Sequence, residues 1–331
     1  MTASDSDLWP VLTIKGAPDT ETLADIKALA AAAEESDGNP PLSEQTWVNL
    51  RSGDSADLLV LATYAGEERS DPATASALAG VAVVSLATAA GADSVLELVV
   101  HPSYRGEGVG LRLAEAVQQH AELPELKAWS HGGHEAAGRL AARFGFAPVR
   151  ELWRMRLTHP AGMPDAELPA DVVIRTFVPG QDEEAWLAAN AAAFADHPEQ
   201  GAMTLSDLRA RMAEDWFDPA GFLLAERRVG GGLLGFHWTK IHPRAGSHPS
   251  IGEVYVVGVT PQAQGTGLGK ALTIAGIKHL QDAGEHAIML YVDADNEPAV
   301  GLYRKLGFTR WDADVMYAVQ AQADRQESVT L

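Results

Sequence analysis

The 331-residue chain is predicted to be an α/β protein made of two tandem copies of one domain. Three observations predict this. First, a glycine-rich hexapeptide occurs twice, as Arg105-Gly106-Glu107-Gly108-Val109-Gly110 and as Gln264-Gly265-Thr266-Gly267-Leu268-Gly269. Each copy follows a strand-like run ending in Pro (Pro102, Pro261) and precedes an Ala/Leu-rich helical run. Second, the offset between copies is constant at 159 (261−102, 264−105, 269−110), and Phe144-Gly145-Phe146 returns as Leu306-Gly307-Phe308 at an offset of 162 (307−145). A period this long marks a duplicated domain and not a solenoid repeat. Third, strand-like and helix-like runs follow one another in the same order in both halves.

In the first half, helical runs are expected over 20–35 and from about 43, and strands over 58–64, 80–86 and 95–100. The first glycine loop opens a helix with Val109, Leu113 and Val117 at helical spacing. A strand over 126–130, a helix over 135–144 and a strand over 150–157 complete the unit. Three prolines between His159 and Pro169 mark a linker. The second half repeats the order: strand 172–176, helices 182–193 and 205–215, then strands 221–226, 233–240 and 252–259. The second loop leads into a helix over 270–282, a strand over 287–292, a helix over 298–306 and a strand over 315–319. The expected boundaries are therefore 1–158, a linker over 159–171, 172–320, and a polar, frayed tail over 321–331.

Composition narrows the function. Apolar residues make up 46% and charged residues 21%, an ordinary globular balance. At about 150 residues per domain, each half can bury its own core. The net charge of −20 speaks against nucleic acid and against docking on anionic membranes. It tolerates a cationic or amine substrate, although solubility alone also accounts for it. The absence of cysteine excludes disulfides, thiolate zinc sites and a cysteine nucleophile. The opening residues Met1 to Asp7 lack the basic segment of a signal peptide. The longest apolar stretch, 77–90, is broken by Ser85 and Thr88 and falls short of the roughly 20 residues of a membrane span. A cytoplasmic protein is expected. His197 and His237 have no spaced partner set, so they read as loop and core histidines, and no metal is expected.

The hexapeptides are phosphate cradles in sequence form. Glycines let backbone N–H groups crowd an anion, and the helix that follows adds the positive end of its dipole. A P-loop would need Lys-Ser/Thr after its last Gly, but Lys270 is followed by Ala271. A dinucleotide fingerprint would follow the first strand and carry an acidic residue about 20 positions on, where this chain has Ile288, Met289 and Leu290. The pattern Gln/Arg-x-x-Gly-x-Gly matches both loops. Asn296, Tyr303 and the Leu306-Gly307-Phe308 close form a second signature, with the Phe144-Gly145-Phe146 close as its first-half echo. On these motifs the chain resembles the GNAT N-acetyltransferases, and their duplication makes it a tandem member.

That resemblance implies two domains, each a mixed, mostly antiparallel twisted sheet flanked by helices, with acetyl-CoA as acetyl donor. Further segments (193–201, 216–219, 235–240 and 252–256) are similar to the tandem GNATs that close mycothiol synthesis. The acceptor this implies is the cysteinyl α-amine of cysteine-glucosamine-inositol. The residues alone reach only acetyl-CoA and an amine acceptor. Another tandem GNAT acting on an aminoglycoside, a polyamine or a protein N-terminus stays open, and so does a non-catalytic acetyl-CoA binder. A duplicated GNAT forms internally the pair that single-domain relatives form as dimers, so a monomer is expected.

Amine acetylation needs a held thioester, a neutral amine, a stabilised oxyanion and a proton for the leaving thiolate. A free α-amine titrates near 7.7–8.0, so removing its proton is a small task for a carboxylate. Glu253, on the strand entering the second loop, is the expected base and also an acceptor contact. Its competing reading is a solvated carboxylate at a strand start. Alternation is expected to put Glu253, Tyr255 and Val257 on one face. Tyr303, seven positions after Asn296 and so two helical turns on, is the expected acid for the CoA thiolate, against a reading as a core aromatic. By resemblance, the pantetheine pairs with Val257, Gly258 and Val259, an N–H of Val257 polarises the acetyl carbonyl, and Gly258 suits a bulge or close approach. Gln264 to Gly269 with Lys270, and Asn296, would hold the rest of acetyl-CoA. In the first half the corresponding residues are Leu98, Val99, Val100, Arg105 to Gly110, and Leu111. Resemblance adds Glu44, Glu199, Lys240 and Tyr291 as acceptor contacts, with Glu44 open to a reading as a solvated residue after the capping Ser43. With no cysteine, direct attack in a ternary complex is expected.

The halves differ where the chemistry falls. On the 159 offset Glu253 corresponds to Ser94, and on the 162 offset Tyr303 corresponds to Ala141 and Asn296 to His134. Glu97 corresponds to Val256, whose side chain is expected to face away from that of Glu253. An active second half is expected, beside a first half that is structural or holds a silent acetyl-CoA.

Overall fold

The computed structural model describes residues 9–51, 57–66, 78–87, 93–120, 126–160, 162–195, 198–244 and 249–319. The chain divides into two compact units, Met1–Leu152 with Asp312–Leu331, and Trp153–Trp311. The first unit contains β1 (Val11–Lys15), α1 (Thr20–Asp37), α2 (Glu44–Arg51), β2 (Leu58–Tyr64), β3 (Leu78–Ser85), β4 (Ser94–Val100), α3 (Val109–Gln119), β5 (Leu126–Ser130) and α4 (Glu135–Arg143). The next strand, β6 (Phe146–Thr158), passes into the second unit. That unit continues with β7 (Val172–Thr176), α5 (Glu183–Ala193), α6 (Pro198–Gly201), α7 (Leu205–Met212), β8 (Phe222–Arg227), β9 (Leu233–His242), β10 (Ile251–Val259), α8 (Leu268–Asp282), β11 (Ala287–Asp293) and α9 (Glu297–Lys305). The last strand, β12 (Thr309–Val319), returns to the first unit.

Each unit has one mixed sheet. The first runs β1-β2-β3-β4-β5-β12 and the second β7-β8-β9-β10-β11-β6. From β1 to β5, between β5 and β12, and from β7 to β11 the ladders are antiparallel except β4 with β5 and β10 with β11. The apolar runs of β2 and β3 are buried on both faces, so helices must cover both. On one face α1 packs Ile26, Leu29 and Ala33 against Val60, Val81 and Val99. On the other, α3 packs Val109, Leu113 and Val117 against Leu61, Ala82 and Leu96. The intervals of three and four residues in α1 and α3 are those of a helix face that must be buried. In the second unit α5 sets Trp186 edge-on to Phe222, Phe236 and Trp238, at centroid distances of 5.4, 5.4 and 5.9 Å. On the opposite face α8 packs Ile274, Ile277 and Leu280 with Val254, Ile288 and Leu290.

The expected elements are present with shifted ends. The sequence missed β1, an edge strand with a half-exposed burial pattern, and the single turn α6. It also gave the terminal strand of each half to that half. By compactness, β6 from Trp153 onward belongs with the second unit and β12 from Asp312 with the first. The reason is non-local: β12 ladders with β5, Val315 opposite Ser130, while Met155 and Leu157 of β6 join the core under α8 and α9. The expected tail over 321–331, the opening residues Met1 to Asp7 and His197 lie outside the described residues. Among the described residues no helix is long and apolar enough to cross a membrane.

Candidate active site

Both glycine loops fold as the same turn. Gly106 and Gly265 have φ of 79° and 74°, and Gly108 and Gly267 have φ of 87° and 84°. These are left-handed conformations that residues with a Cβ rarely adopt. A Cβ on any of the four would meet nothing within 4 Å, so the glycines are required by backbone conformation and leave open space in front of the loop. Gly108 and Gly267 are the N-caps of α3 and α8, and neither helix start has a side-chain cap or an acidic residue in its first turn. The uncapped N–H groups face outward at the positive helix end, an arrangement suited to an anion. The first loop residue ties each loop to its strand: Arg105 Nε donates to Val100 O at 3.2 Å, and Gln264 Nε2 to Val259 O at 3.4 Å. Thr266 is tied back to Ala263 O. Lys270 and Leu111 lie in the first turns of the helices.

Upstream of each loop the two parallel strands separate. The β10–β11 ladder runs from Gly252–Ile288 to Val254–Leu290, so Val257, Gly258 and Val259 lie beyond it while still laddered to β9. Likewise the β4–β5 ladder ends at Glu97–Trp129, before Leu98, Val99 and Val100. In the first unit this opening is a cavity of about 780 Å³, lined by Leu98, Val99, Val100, Arg105, Gly106, Gly108, Val109, Gly110 and Leu111 and by the α4 residues Ala137, Leu140 and Ala141. Its size falls within the ~300–1,000 Å³ of small-molecule sites. Glu107 does not line it, and its carbonyl accepts from Trp9 Nε1 at 3.0 Å.

The second unit adds charged groups to this frame. Glu253, 5% exposed, stands on β10 directly opposite Lys240 of β9. Its Oε2 is 2.6 Å from Nε2 of His242. Burial works to raise the Glu253 carboxyl, but the His242 hydrogen bond and the charges of His242, Lys240 and Arg154 outweigh it, so Glu253 sits below the usual carboxylate range. Burial pushes Lys240 down, with Glu253 opposing. The Lys240 ammonium lies 4.6 Å from the Trp216 ring centre and 5.4 Å from that of Tyr255. The Tyr255 hydroxyl accepts from Arg211 Nε at 3.1 Å. Arg154 of β6 stacks on Tyr291 of β11 at 5.7 Å. The strands thus bring together Glu253, Lys240, Tyr291, Arg154, His242 and Tyr255 from four positions in the sequence.

Tyr303 on α9 is 6% exposed and packs edge-on to Phe308 at 5.8 Å. Burial pushes its hydroxyl up to about 12. Among the described residues that hydroxyl has no hydrogen-bond partner. Asn296 is the N-cap of α9, its side-chain oxygen accepting from Ala299 N at 3.2 Å. Glu199 belongs to the turn α6, and Glu44 is the half-buried first residue of α2 in the first unit. His237 is a core residue as expected: it is fully buried, its Nδ1 pairs with Leu272 O at 2.8 Å, and burial lowers it to about 4. Among the described residues no group of three or more acidic or histidine side chains could hold a metal.

Three expectations need correction, and one bulge explains them. The β9–β10 register slips between Val254 and Val256, leaving Tyr255 as the extra residue. Alternation therefore breaks there. Glu253, Tyr255 and Val256 share the α5 side, where Tyr255 and Val256 pack with Trp238, while Val257 turns to α8 beside Leu272. The expected common face of Glu253, Tyr255 and Val257 does not form. The bulge falls at Tyr255; at Gly258 a Cβ would meet Phe236 at 2.7 Å and Phe194 at 3.0 Å, so of the two expected alternatives that glycine serves a close approach. The bulge also moves the correspondence between halves. Leu126 and Ile288 match on the 162 offset, and their ladder partners are Ser94 and Gly252, so the strand offset before the bulge is 158 (252−94). Glu253 therefore corresponds to Val95 and not Ser94, and Lys240 to Ser85, since Ser85 pairs with Val95 as Lys240 pairs with Glu253.

Glu97 consequently lies on the same face as Glu253, contrary to expectation. It is 1% exposed and fully engaged: Ser43 N donates to both oxygens at 3.1 and 3.2 Å, and His131 Nε2 is 2.7 Å from Oε1. His131 Nδ1 is 3.0 Å from Oδ2 of Asp314 on β12. Burial opposes a charge on His131, but hydrogen bonds to Asp314 and Glu97 hold it up to about 10. Sequence reasoning missed His242, Arg154 and this network. Period-two spacing from Lys240 pointed to His242, but Arg154 carried no local signal.

Comparison with known proteins gives a consistent picture. The pattern of the acetyltransferase (GNAT) family matches residues 28–146 and 186–308. A protein of Arthrobacter sp. (strain FB24) named mycothiol acetyltransferase is 66% identical over 96% of this chain and 98% of its own length. One of the same name from Paenarthrobacter aurescens (strain TC1) is also 66% identical, over 96% and 98%. Among solved structures, a tandem GNAT protein of the clavulanic acid pathway superposes with a TM-score of 0.68 at 17% identity, over 95% of this chain and all of its own. A GCN5-related N-acetyltransferase from Sphaerobacter thermophilus gives 0.64 at 25% identity, over 95% and 97%.

Proposed function

The chain belongs to the acetyltransferase (GNAT) family, and from that premise we propose that it acetylates the cysteinyl α-amine of cysteine-glucosamine-inositol with acetyl-CoA, giving mycothiol and CoA. The near-full-length relatives named mycothiol acetyltransferase support the acceptor. One observation carries the assignment of the chemistry to the second unit: the strand entering its cradle bears buried Glu253 opposite Lys240, where the first unit has Val95 and Ser85.

The residues suggest the following reaction. The cradle from Gln264 to Lys270 holds the pyrophosphate, and the strand edge at Val257, Gly258 and Val259 aligns the pantetheine, with Asn296 nearby at the start of α9. Backbone N–H groups there polarise the acetyl carbonyl. The neutral amine attacks directly in a ternary complex. A carboxylate held as low as Glu253 is a weak base toward a free ammonium, but the nitrogen becomes strongly acidic as the N–C bond forms, and Glu253 takes the proton then. By its place in the family pattern, Tyr303 is the group for the leaving sulfur. Burial pushes its hydroxyl up to about 12, so it stays protonated and able to donate. Its contribution is a hydrogen bond to the developing thiolate. Lys240, Tyr291 and Glu199 suit a hydroxyl-rich acceptor. The first unit keeps the cradle and the opening for a silent acetyl-CoA, and it lacks the base and the tyrosine. The chain acts in the cytoplasm, as a monomer.

Steady-state release of CoA thiol, measured with cysteine-glucosamine-inositol against aminoglycosides, polyamines and N-terminal peptides, tests the reading. We expect kcat/KM for cysteine-glucosamine-inositol to exceed the others by at least about a hundredfold. Equal turnover of another amine, or none with any, would refute it.

A further inference from the structure

We propose that His242 is the positioning residue that aims Glu253 at the acceptor amine, fixing one carboxylate oxygen so that the other takes the proton. The inference rests on the reading of Glu253 as the base.

The geometry is specific. Lys240 sits opposite Glu253, and His242, two residues on along β9, sits opposite Ile251 and so shares that face. Its Nε2 lies 2.6 Å from Glu253 Oε2. One oxygen is thereby fixed and Oε1 is left for the amine. The side chain of His242 is 32% exposed and that of Glu253 7%, so the histidine is where the buried pair meets water.

The charges around the pair keep the carboxylate ionised. Glu253 faces Lys240 and His242 from β9 and Arg154 from β6, and its strand neighbour Tyr255 has Arg211 and Glu214 beside it. Lys240, His242 and Arg154 hold Glu253 ionised, so its second oxygen is ready to accept. Glu253 takes the proton as the amine attacks: the N–C bond forms, the amine N–H breaks to Oε1, the C–S electron pair leaves on sulfur, and Glu253 later returns the proton to water. In the first unit Glu97 has both oxygens engaged. His131 has a second carboxylate, Asp314, on Nδ1, and its side chain is only 15% exposed.

The single-turnover acetylation rate at saturating acetyl-CoA and cysteine-glucosamine-inositol, from about pH 5.5 to 9, tests this in the full chain. Glu253→Gln should lose 10²–10⁴-fold, on the order expected for a general base; a wild-type rate would sink the base reading and this proposal with it. Given that loss, His242→Gln keeps an N–H donor and should stay within about tenfold of wild type. His242→Phe, with no donor, should lose roughly a hundredfold at every pH with unchanged KM for acetyl-CoA. A loss in His242→Gln as large as that in His242→Phe, or a wild-type rate in His242→Phe, would overturn the role of His242 and leave that of Glu253 standing.

Discussion

Both units place a histidine within 2.7 Å of a buried glutamate on the strand that enters a glycine cradle, yet the two pairs are built for different ends. In the first unit His131 is shared by Glu97 and Asp314, and Ser43 N occupies the remaining valence of Glu97. Every polar atom is satisfied inside the protein, which makes a fixed brace. In the second unit, among the described residues, His242 pairs with one carboxylate and is 32% exposed, and one oxygen of Glu253 is left without a partner. Chemistry requires unspent hydrogen-bonding capacity, and that capacity separates the units more sharply than the presence of a carboxylate does. The contrast extends to packing. The helix–sheet contact that uses Ala82 and Val117 in the first unit uses His237 and Gly276 in the second, a large side chain moved from helix to strand.

The largest effect that could break this comparison comes from the two glutamates. Glu253→Gln should cut kcat by about 10²–10⁴-fold while leaving acetyl-CoA binding intact, with the loss shrinking at high pH as the amine deprotonates unaided. Glu97→Gln should leave kcat within about threefold and lower Tm, because it removes a buried ionic partner. Loss of turnover in Glu97→Gln with Tm unchanged would reverse the assignment. Next, Tyr303→Phe should lower kcat roughly ten- to a hundredfold without moving the acid limb of the pH profile, as expected for one lost hydrogen bond to the sulfur. Wild-type kcat would reduce Tyr303 to a core aromatic.

A smaller effect is expected on stability. A Cβ at Gly276 would overlap the His237 ring, which its bond to Leu272 O keeps in place. Gly276→Ala should cost about 1–3 kcal/mol in denaturant unfolding, and Gly276→Ala with His237→Ala should recover part of it. The smallest test concerns the brace. His131 is held protonated up to about 10, above the ~6.5 of an unfolded imidazole. Its ion pairs therefore stabilise the fold fully below about pH 6.5 and lose that contribution as pH rises toward about 10. Wild-type Tm should fall across this window, and His131→Gln should show a flatter dependence from a lower start. Parallel slopes would remove His131 as the cause.

Much of this was legible because it is local. A left-handed turn needs glycine whatever surrounds it, so Gly106, Gly108, Gly265 and Gly267 announced two identical cradles, and the phase of apolar residues announced α1, α3 and α8. Glu253 and Tyr303 could be singled out because the cradle fixes what must stand upstream and downstream of it. The chain by itself thus determined the duplication, the two anion-binding turns and the helices and strands that flank them. Only the tertiary structure decided register and partnership, because hydrogen bonds between distant strands set both. It inserted Tyr255 as a bulge, moved the match of Glu253 from Ser94 to Val95, and turned Glu97 to the reactive face. It also brought Arg154 of β6 beside Glu253, and bound Asp314 of β12 to His131. A one-residue bulge leaves almost no trace in a sequence, since it reverses a side-chain alternation that only the facing strand can count.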